Sequence, residues 1–151
     1  MYDVAIIGGG VVGALTARRL SRYELKICIL EKENDVCMGA SKANSAIVHA
    51  GFDAPEGTYK AELNVLGSQM MPGICAELGV PYKNNGSLVL GFDEKDLAAI
   101  KTLFERGKKN GVKDLEILDQ EALFALAPSV SKKAQKFPAQ YLLLSPYLSA
   151  L

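Results

Sequence analysis

A glycine-rich stretch near the start of the chain constrains the fold more than any other feature. Residues Gly8 to Gly13 read Gly-Gly-Gly-Val-Val-Gly, which fits the pattern G-x-G-x-x-G. The apolar run from Tyr2 to Ile7 precedes it and predicts a buried strand. Val11 to Arg22 has helical spacing, and Lys26 to Leu30 predicts a second buried strand. The sequence therefore predicts a βαβ unit of about thirty residues.

Each glycine of this pattern has a physical reason. Gly8 lets the chain turn out of the strand, Gly10 lets the backbone approach a pyrophosphate, and Gly13 lets the helix pack on the sheet. The positive end of the helix dipole and its free N–H groups favour phosphates. Glu31, at the end of the second strand, is placed to accept hydrogen bonds from ribose hydroxyls and to repel a 2′-phosphate. We predict an adenine-dinucleotide site; a glycine-rich turn that binds nothing is the alternative.

The residues after the second strand bear on whether that dinucleotide is FAD or NAD. A dehydrogenase-type domain continues with further βα units, whereas here regular patterning lapses from Glu33 to Gly57. The small, polar stretch from Gly39 to Ser45 offers amides and hydroxyls to a cofactor that extends past the first βαβ unit. This favours FAD. An NAD-linked domain, or an ordinary surface loop at this stretch, is the alternative.

A change in composition near Gly57 predicts a different, α+β layer after it. Thr58 is a predicted N-cap for a helix that runs to Leu78 and stops at Gly79. Within that helix, Pro72-Gly73 is expected to produce a kink or a division.

The next segment alternates turn signals with short apolar runs. Asn85-Gly86 indicates a hairpin turn before a strand over residues 87–92. Asp93 predicts the start of a helix that ends at Gly111. Leu115 to Leu118 is a candidate strand, and Asp119 to Leu126 a candidate short helix.

The overall composition excludes several classes of protein. Lys and Arg number 17 and Asp and Glu 17, which argues against a nucleic-acid binder. No apolar run approaches the roughly 18 residues of a membrane span, and the chain enters a strand pattern at once, so we predict neither a transmembrane segment nor a signal peptide. Three cysteines without a CxxC pair and one histidine, His49, predict no metal site and a reducing compartment.

Several stretches of the chain resemble the FAD-dependent glycerol-3-phosphate dehydrogenases, within the D-amino-acid oxidase superfamily that also includes L-2-hydroxyglutarate oxidases. The segment Asn44 to Gly51 is similar to the Asn-Ser-Gly-Val-Ile-His-Ala-Gly type of sequence in that group. The resemblance covers roughly residues 2–130. The matching stretches are Asp3 to Gly13, Ile29 to Lys32, Gly39 to Gly51, which contains that segment, and Gly86 to Leu90.

The resemblance implies a set of FAD-contacting residues. The glycine turn would contact the pyrophosphate, the acid after the second strand the adenosine ribose, and the next residue the adenine end. The polar stretch would line the phosphate and ribityl path, and the segment after it would run beside the isoalloxazine ring. The pyrophosphate contacts are Gly8, Gly10, Val11 and Val12, with Gly13 in the same turn; the adenosine contacts are Glu31 and Lys32. Ser41, Asn44 and Ser45 would line the phosphate and ribityl path, and Ala46, Ile47 and His49 would lie beside the isoalloxazine ring.

The implied reaction is hydride transfer from a carbinol C–H to flavin N5, most like the oxidation of sn-glycerol 3-phosphate to dihydroxyacetone phosphate. L-2-hydroxyglutarate or amino-acid oxidation, and a non-catalytic FAD-binding fragment, are the alternatives. The electron acceptor stays open between oxygen, a quinone and an iron–sulfur partner. We expect a cytoplasmic protein, or one peripheral to the inner face of a membrane.

His49 is the one catalytic candidate. Its imidazole is open to four roles: a structural hydrogen bond, orientation of substrate or stabilisation of flavin charge, general base, and covalent attachment of the flavin.

The expected fold class is α/β. A Rossmann-like βαβ unit over residues 1–57 is followed by the start of an α+β substrate domain over residues 58–151. Enzymes of this family are several times longer, and the resemblance fades after about Ser131. We therefore expect a truncated chain with an atypical tail, whose half-built site binds FAD weakly or not at all and does not preorganise a substrate.

Overall fold

The computed structural model describes residues 1–130 of the chain. It divides the chain into two compact units, the first over Met1–Ser45 and the second from Ala46 onwards. The predicted boundary at Gly57 between the FAD-binding and substrate domains stays a prediction. In the structure, residues 46–57 belong to the same compact unit as the helices that follow them.

The first unit is a βαβ unit, as predicted. Strand β1 (Val4–Ile7) and strand β2 (Ile27–Leu30) are parallel neighbours, with Val4 opposite Ile27 and Ile7 opposite Leu30. Helix α1 (Val11–Leu20) connects them and ends two residues before the predicted Arg22. Both strands are half-exposed, and their predicted full burial is wrong. Within residues 1–130 the sheet has two strands, so much of its surface lacks a covering layer.

The second unit begins with a long helix whose two ends follow the sequence signals. Helix α2 (Tyr59–Leu78) is capped by Thr58, whose Oγ1 accepts a hydrogen bond from the N–H of Ala61 at 3.2 Å. It ends at Gly79, whose φ of +66° is the left-handed conformation that glycine adopts readily.

Pro72 lies inside α2, and the helix continues through it to Leu78. Of the kink or division predicted at this residue, the division is therefore wrong and the kink stays a prediction. A proline removes one main-chain hydrogen bond, while the buried side chains of Ala61, Val65 and Cys75 hold the helix on both sides of that position. Tertiary packing outweighs the local penalty here.

Two shorter helices complete the described part of the second unit. Helix α3 (Glu94–Lys109) is capped by the Asp93 carboxylate, which accepts a hydrogen bond from the N–H of Asp96 at 2.9 Å. Helix α4 (Gln120–Leu126) is capped by Asp119 in the same way. The sequence predicts the Asp93 cap, whereas it places Asp119 inside the short helix as its first residue.

The predicted strands over residues 87–92 and 115–118 are wrong. Ser87 and Leu118 take part in single β-bridges and no extended strand forms at either segment. Gly86 does adopt a positive φ of +73°, as a turn residue would. The apolar side chains of these segments instead pack around the fully buried Leu123 of α4. From these segments the packing partners are Leu88, Val89, Leu90 and Leu118, and Val130, which follows α4, joins them.

Two findings concern the described part of the chain as a whole. Within residues 1–130, no helix is both long and apolar enough to cross a bilayer. Over the same residues, no group of three histidine, cysteine or acidic side chains is arranged to hold a metal ion.

Candidate cofactor-binding site

The first unit has a cleft at the carboxyl ends of its two parallel strands, which is where ligands bind in open α/β sheets. Its volume is about 460 Å³, within the usual range for small-molecule sites of roughly 300–1,000 Å³. The residues that line it are Ile7, Gly8, Gly10, Leu30, Glu31, Lys32, Glu33, Cys37, Met38, Gly39, Ala40 and Ser41.

The glycine turn has the geometry that the sequence predicts. Gly8 follows β1 with φ +103°, a conformation that a side chain would strain. A Cβ on Gly13 would collide with the carbonyl oxygen of Gly8, so α1 packs against the turn only with glycine at that position. Gly10 is the N-cap residue of α1 and supplies no side-chain cap. The first turn of α1 thus has backbone N–H groups that no residue within the helix can satisfy.

Glu31 binds the backbone around it. One carboxylate oxygen accepts a hydrogen bond from the N–H of Gly9 at 2.6 Å, and the other accepts from Lys32 at 2.8 Å and Glu33 at 3.1 Å. These bonds join the glycine turn to the end of β2. The sequence suggested a partner for ribose hydroxyls and gave no sign of this second role. A carboxylate has about four lone-pair sites, so capacity for a hydroxyl remains.

The same contacts set the charge of Glu31. The hydrogen bonds from the N–H of Glu33 and then of Gly9 lower the pKa of its carboxyl below the ordinary value of 4.5, and desolvation opposes that shift without cancelling it. The Lys32 N–H and ammonium add to the lowering. A charged carboxylate is therefore the resident form at neutral pH.

A pH dependence of stability follows from this lowered pKa. Since the folded-state value lies below the unfolded one, the contribution of Glu31 is complete above pH 4.5 and is lost as the pH falls through the folded value. We expect wild type to unfold at higher urea concentration than Glu31→Gln at pH 7, and the gap to shrink progressively below pH 4.5. A gap that is equal at pH 7 and pH 3 would contradict this role.

Ser41 approaches the N-terminus of α1 from the polar stretch. Its Oγ accepts a hydrogen bond from the N–H of Val11 at 2.8 Å, and a Cβ on Gly10 would lie 3.0 Å from it. Asn44 holds the loop itself, because its Nδ2 donates to the carbonyl oxygens of Ala40 at 3.3 Å and Ser41 at 2.6 Å. The structure thus brings Ser41 into the cleft, with Asn44 as its support.

Cys37 lines the cleft and contacts the glycine turn. Cys37 has a positive φ of 60°, and its N–H donates to the carbonyl oxygen of Gly9 at 3.1 Å. Its Sγ also lies 3.7 Å from that oxygen. Nothing in the spacing of the chain signals this contact, since it depends on the loop folding back over the glycine turn.

The remaining predicted site residues divide between the two units. Val12 is 77% exposed beside the glycine turn, and Lys32 lines the cleft. The segment of Ala46, Ile47 and His49 belongs to the second unit. There, an exposed His49 lines a smaller cleft of about 200 Å³.

The residues of the first cleft fit the phosphate-and-adenosine end of an adenine dinucleotide. Gly8 and Gly10 present backbone without a Cβ, and the helix N-terminus supplies donors for an anion. The apolar ends of the strands are open, with Ile7 88% and Leu30 57% exposed. Glu31 places a carboxylate beside them for a hydroxyl.

Comparison with known proteins identifies the family. Residues 3–145 match the family described as FAD dependent oxidoreductase. The chain belongs to this family. The predicted family and the predicted α/β fold class are confirmed, and so is FAD as the cofactor.

Two curated relatives bear different names. A glycerol 3-phosphate dehydrogenase from Caloramator mitchellensis is 50% identical over 131 residues, which is 87% of this chain and 27% of that protein. A mitochondrial L-2-hydroxyglutarate dehydrogenase from Nematostella vectensis is 42% identical over 129 residues, 84% of this chain and 28% of that protein. The chain therefore spans little more than a quarter of the length of these relatives.

Solved structures agree on the fold. A dithionite-reduced L-alpha-glycerophosphate oxidase from Mycoplasma pneumoniae with FAD bound superposes with a TM-score of 0.85 at 28% identity, over 99% of this chain and 38% of that one. A glycine oxidase from Geobacillus kaustophilus has a TM-score of 0.82 at 21% identity, over 99% of this chain and 40% of that one. The second likeness speaks for the fold alone.

Proposed function

We propose that this chain is the FAD-holding part of an enzyme that oxidises a 2-hydroxy compound, with sn-glycerol 3-phosphate as the leading substrate. The observation that supports it most is the convergence of the glycine turn, Glu31 and Ser41 on one cleft at the carboxyl ends of β1 and β2. The names of the Caloramator and Mycoplasma proteins favour glycerol phosphate.

The predicted cofactor-binding residues have different proposed tasks. The backbone from Gly8 to Gly13 holds the pyrophosphate, and Glu31 with Lys32 holds the adenosine. Ser41 turns its hydroxyl proton toward a phosphate oxygen while its own oxygen accepts from Val11, because a hydroxyl donates and accepts at once. We assign Ser45, Ala46 and Ile47 to the path toward the flavin, with Asn44 supporting the loop.

When bound, FAD would supply the acceptor for the hydride of the carbinol carbon, and the hydroxyl proton would pass to water as the C=O bond forms. The chain contributes orientation and charge. We propose that His49 orients the substrate hydroxyl through a hydrogen bond to its imidazole, as a positioned side chain does in acid–base catalysis. We also propose a cytoplasmic location, in keeping with three unpaired cysteines.

L-2-hydroxyglutarate is the second candidate substrate, because the Nematostella relative is a dehydrogenase of that name. Both candidates carry a secondary alcohol and an anionic group. The electron acceptor is left open by this proposal, since oxygen, a quinone and an iron–sulfur partner all accept electrons from reduced flavins.

The test is a visible spectrum of the purified chain titrated with FAD, read against FAD without protein. We expect a perturbed flavin band at high FAD concentration, since a half-built site binds the cofactor weakly, and slow anaerobic bleaching with sn-glycerol 3-phosphate but none with glycerol. Bleaching with L-2-hydroxyglutarate alone would replace the leading substrate by the second. A perturbed band that no hydroxy compound bleaches would assign FAD binding without turnover, and an unperturbed band at saturating FAD would contradict the proposal.

A further inference from the structure

The second unit has a cleft of about 200 Å³ whose polar side chains belong to His49, Asp53, Lys60 and Asn64. We propose that Lys60 and Asn64 bind the anionic group of the substrate beside His49 and thereby determine specificity. This inference rests on the proposed function, because it concerns the substrate of that reaction. The shared chemistry is a phosphate or carboxylate on a small hydroxylated molecule.

The two proposed anion ligands come from one face of one helix. Lys60 and Asn64 are four residues apart on α2, a spacing that places side chains one above the other. Lys60 stands in the first turn of the helix, where the dipole disfavours a cation. Local helix stability therefore gives no reason for a lysine there. Among residues 1–130, no carboxylate forms an ion pair with Lys60.

The loop that carries His49 is fixed against α2 and α3, so the cleft exists before any ligand binds. Gly51 has φ +101°, and a Cβ there would lie 2.6 Å from Cγ2 of Val65 on α2. The Nδ2 of Asn110 donates to the carbonyl oxygens of Gly51 and Ala54, each at 2.8 Å. Preorganisation of this kind reduces the entropy lost on binding.

A further contact holds the middle of the same loop. The Arg106 guanidinium on α3 donates to the carbonyl oxygen of Asp53 at 3.1 Å. This bond uses the backbone of Asp53 and does not involve its carboxylate. Ala50 and Ala54, on either side, are 4% and 3% exposed. The loop is thus anchored by buried backbone while its polar side chains line the cleft.

The mixture of groups selects the class of ligand. The Lys60 ammonium and the Asn64 amide are donors for an anion. The Asp53 carboxylate accepts from a hydroxyl and repels a second negative charge placed next to it. The volume is below the roughly 300–1,000 Å³ typical of drug-sized ligands. A small anion that also carries a hydroxyl fits these conditions better than inorganic phosphate or an apolar compound.

The experiment is a titration of the isotope-labelled chain followed by NMR at the His49 imidazole and the Asn64 side-chain amide. The ligands are sn-glycerol 3-phosphate, L-2-hydroxyglutarate and glycerol. We expect saturable shifts with the anions and none with glycerol. A comparison of the two anions' affinities shows whether the recognised group is a phosphate or a carboxylate.

Three variants make this titration decisive. Lys60→Gln should weaken anion binding about tenfold, the loss expected for one charge-assisted contact, and Lys60→Arg should retain part of it. Lys95→Gln is the matched control, because Lys95 is the second residue of α3 as Lys60 is of α2. It should bind as wild type does.

The outcomes separate this inference from the proposed function. Flavin binding by Lys60→Gln should equal that of wild type, since Lys60 is assigned no contact with FAD. Two results would overturn the inference while FAD binding stands. One is the absence of shifts at His49 and Asn64 in the wild-type chain, and the other is anion binding that Lys60→Gln leaves unchanged. Absence of flavin binding by wild type, with anion shifts that still depend on Lys60, would contradict the cofactor assignment and leave this site in place.

Discussion

Gly13→Ala should strongly weaken FAD binding. The new Cβ would overlap the carbonyl oxygen of Gly8, a backbone atom that moves only if the whole glycine turn moves. Overpacking of this kind destabilises by typically 1–3 kcal/mol, and it displaces the N–H groups that are meant to face the pyrophosphate. We expect FAD affinity to fall at least about 100-fold, which corresponds to about 2.8 kcal/mol. Quenching of flavin fluorescence during titration with the chain measures it.

Gly39→Ala is the matched control for that substitution. Gly39 lines the same cleft, but a Cβ there meets no atom within 4 Å and its backbone has no positive φ. We expect affinity within about twofold of wild type, because small surface changes cost less than about 0.5 kcal/mol. Equal affinity of Gly13→Ala and wild type would show that the close approach of α1 to the turn has no part in cofactor binding.

Asn110→Ala should destabilise the second unit by about 2–4 kcal/mol. Its Nδ2 satisfies two carbonyl oxygens at once, those of Gly51 and Ala54, and both residues are buried. An orphaned buried acceptor costs about 1–3 kcal/mol. The C-cap of α3 is unaffected in this variant, because it uses the backbone N–H of Asn110. Urea denaturation followed by circular dichroism gives the change in unfolding free energy.

Two companions test the reason for that loss. Asn110→Asp keeps the size of the side chain but has no donor at neutral pH, so it should lose as much stability as the alanine variant. Asn34→Ala, at an exposed position, should change stability by less than about 0.5 kcal/mol. A loss in Asn110→Ala with full stability in Asn110→Asp would mean that packing, rather than hydrogen bonding, fixes the loop.

Helix ends were predictable from the sequence because they depend on a few neighbouring residues. Thr58, Asp93 and Asp119 each cap the helix that follows them, and Gly79 ends α2 in the left-handed conformation. Whether an apolar run becomes a strand is a different matter, since a strand requires a partner. Leu88 to Leu90 and Leu118 pack against Leu123 and form no β-ladder.

The sequence by itself determined the βαβ unit, its glycine turn and the class of ligand that turn serves, because each depends on spacing within about thirty residues. Only the tertiary structure decided that Glu31 binds the backbone of Gly9 and that Ser41 reaches the N–H of Val11. It also decided that Lys60 and Asn64 share a cleft with His49. These groups are 11 to 30 residues apart in the chain, and residue spacing carries no information about which of them the fold will bring together.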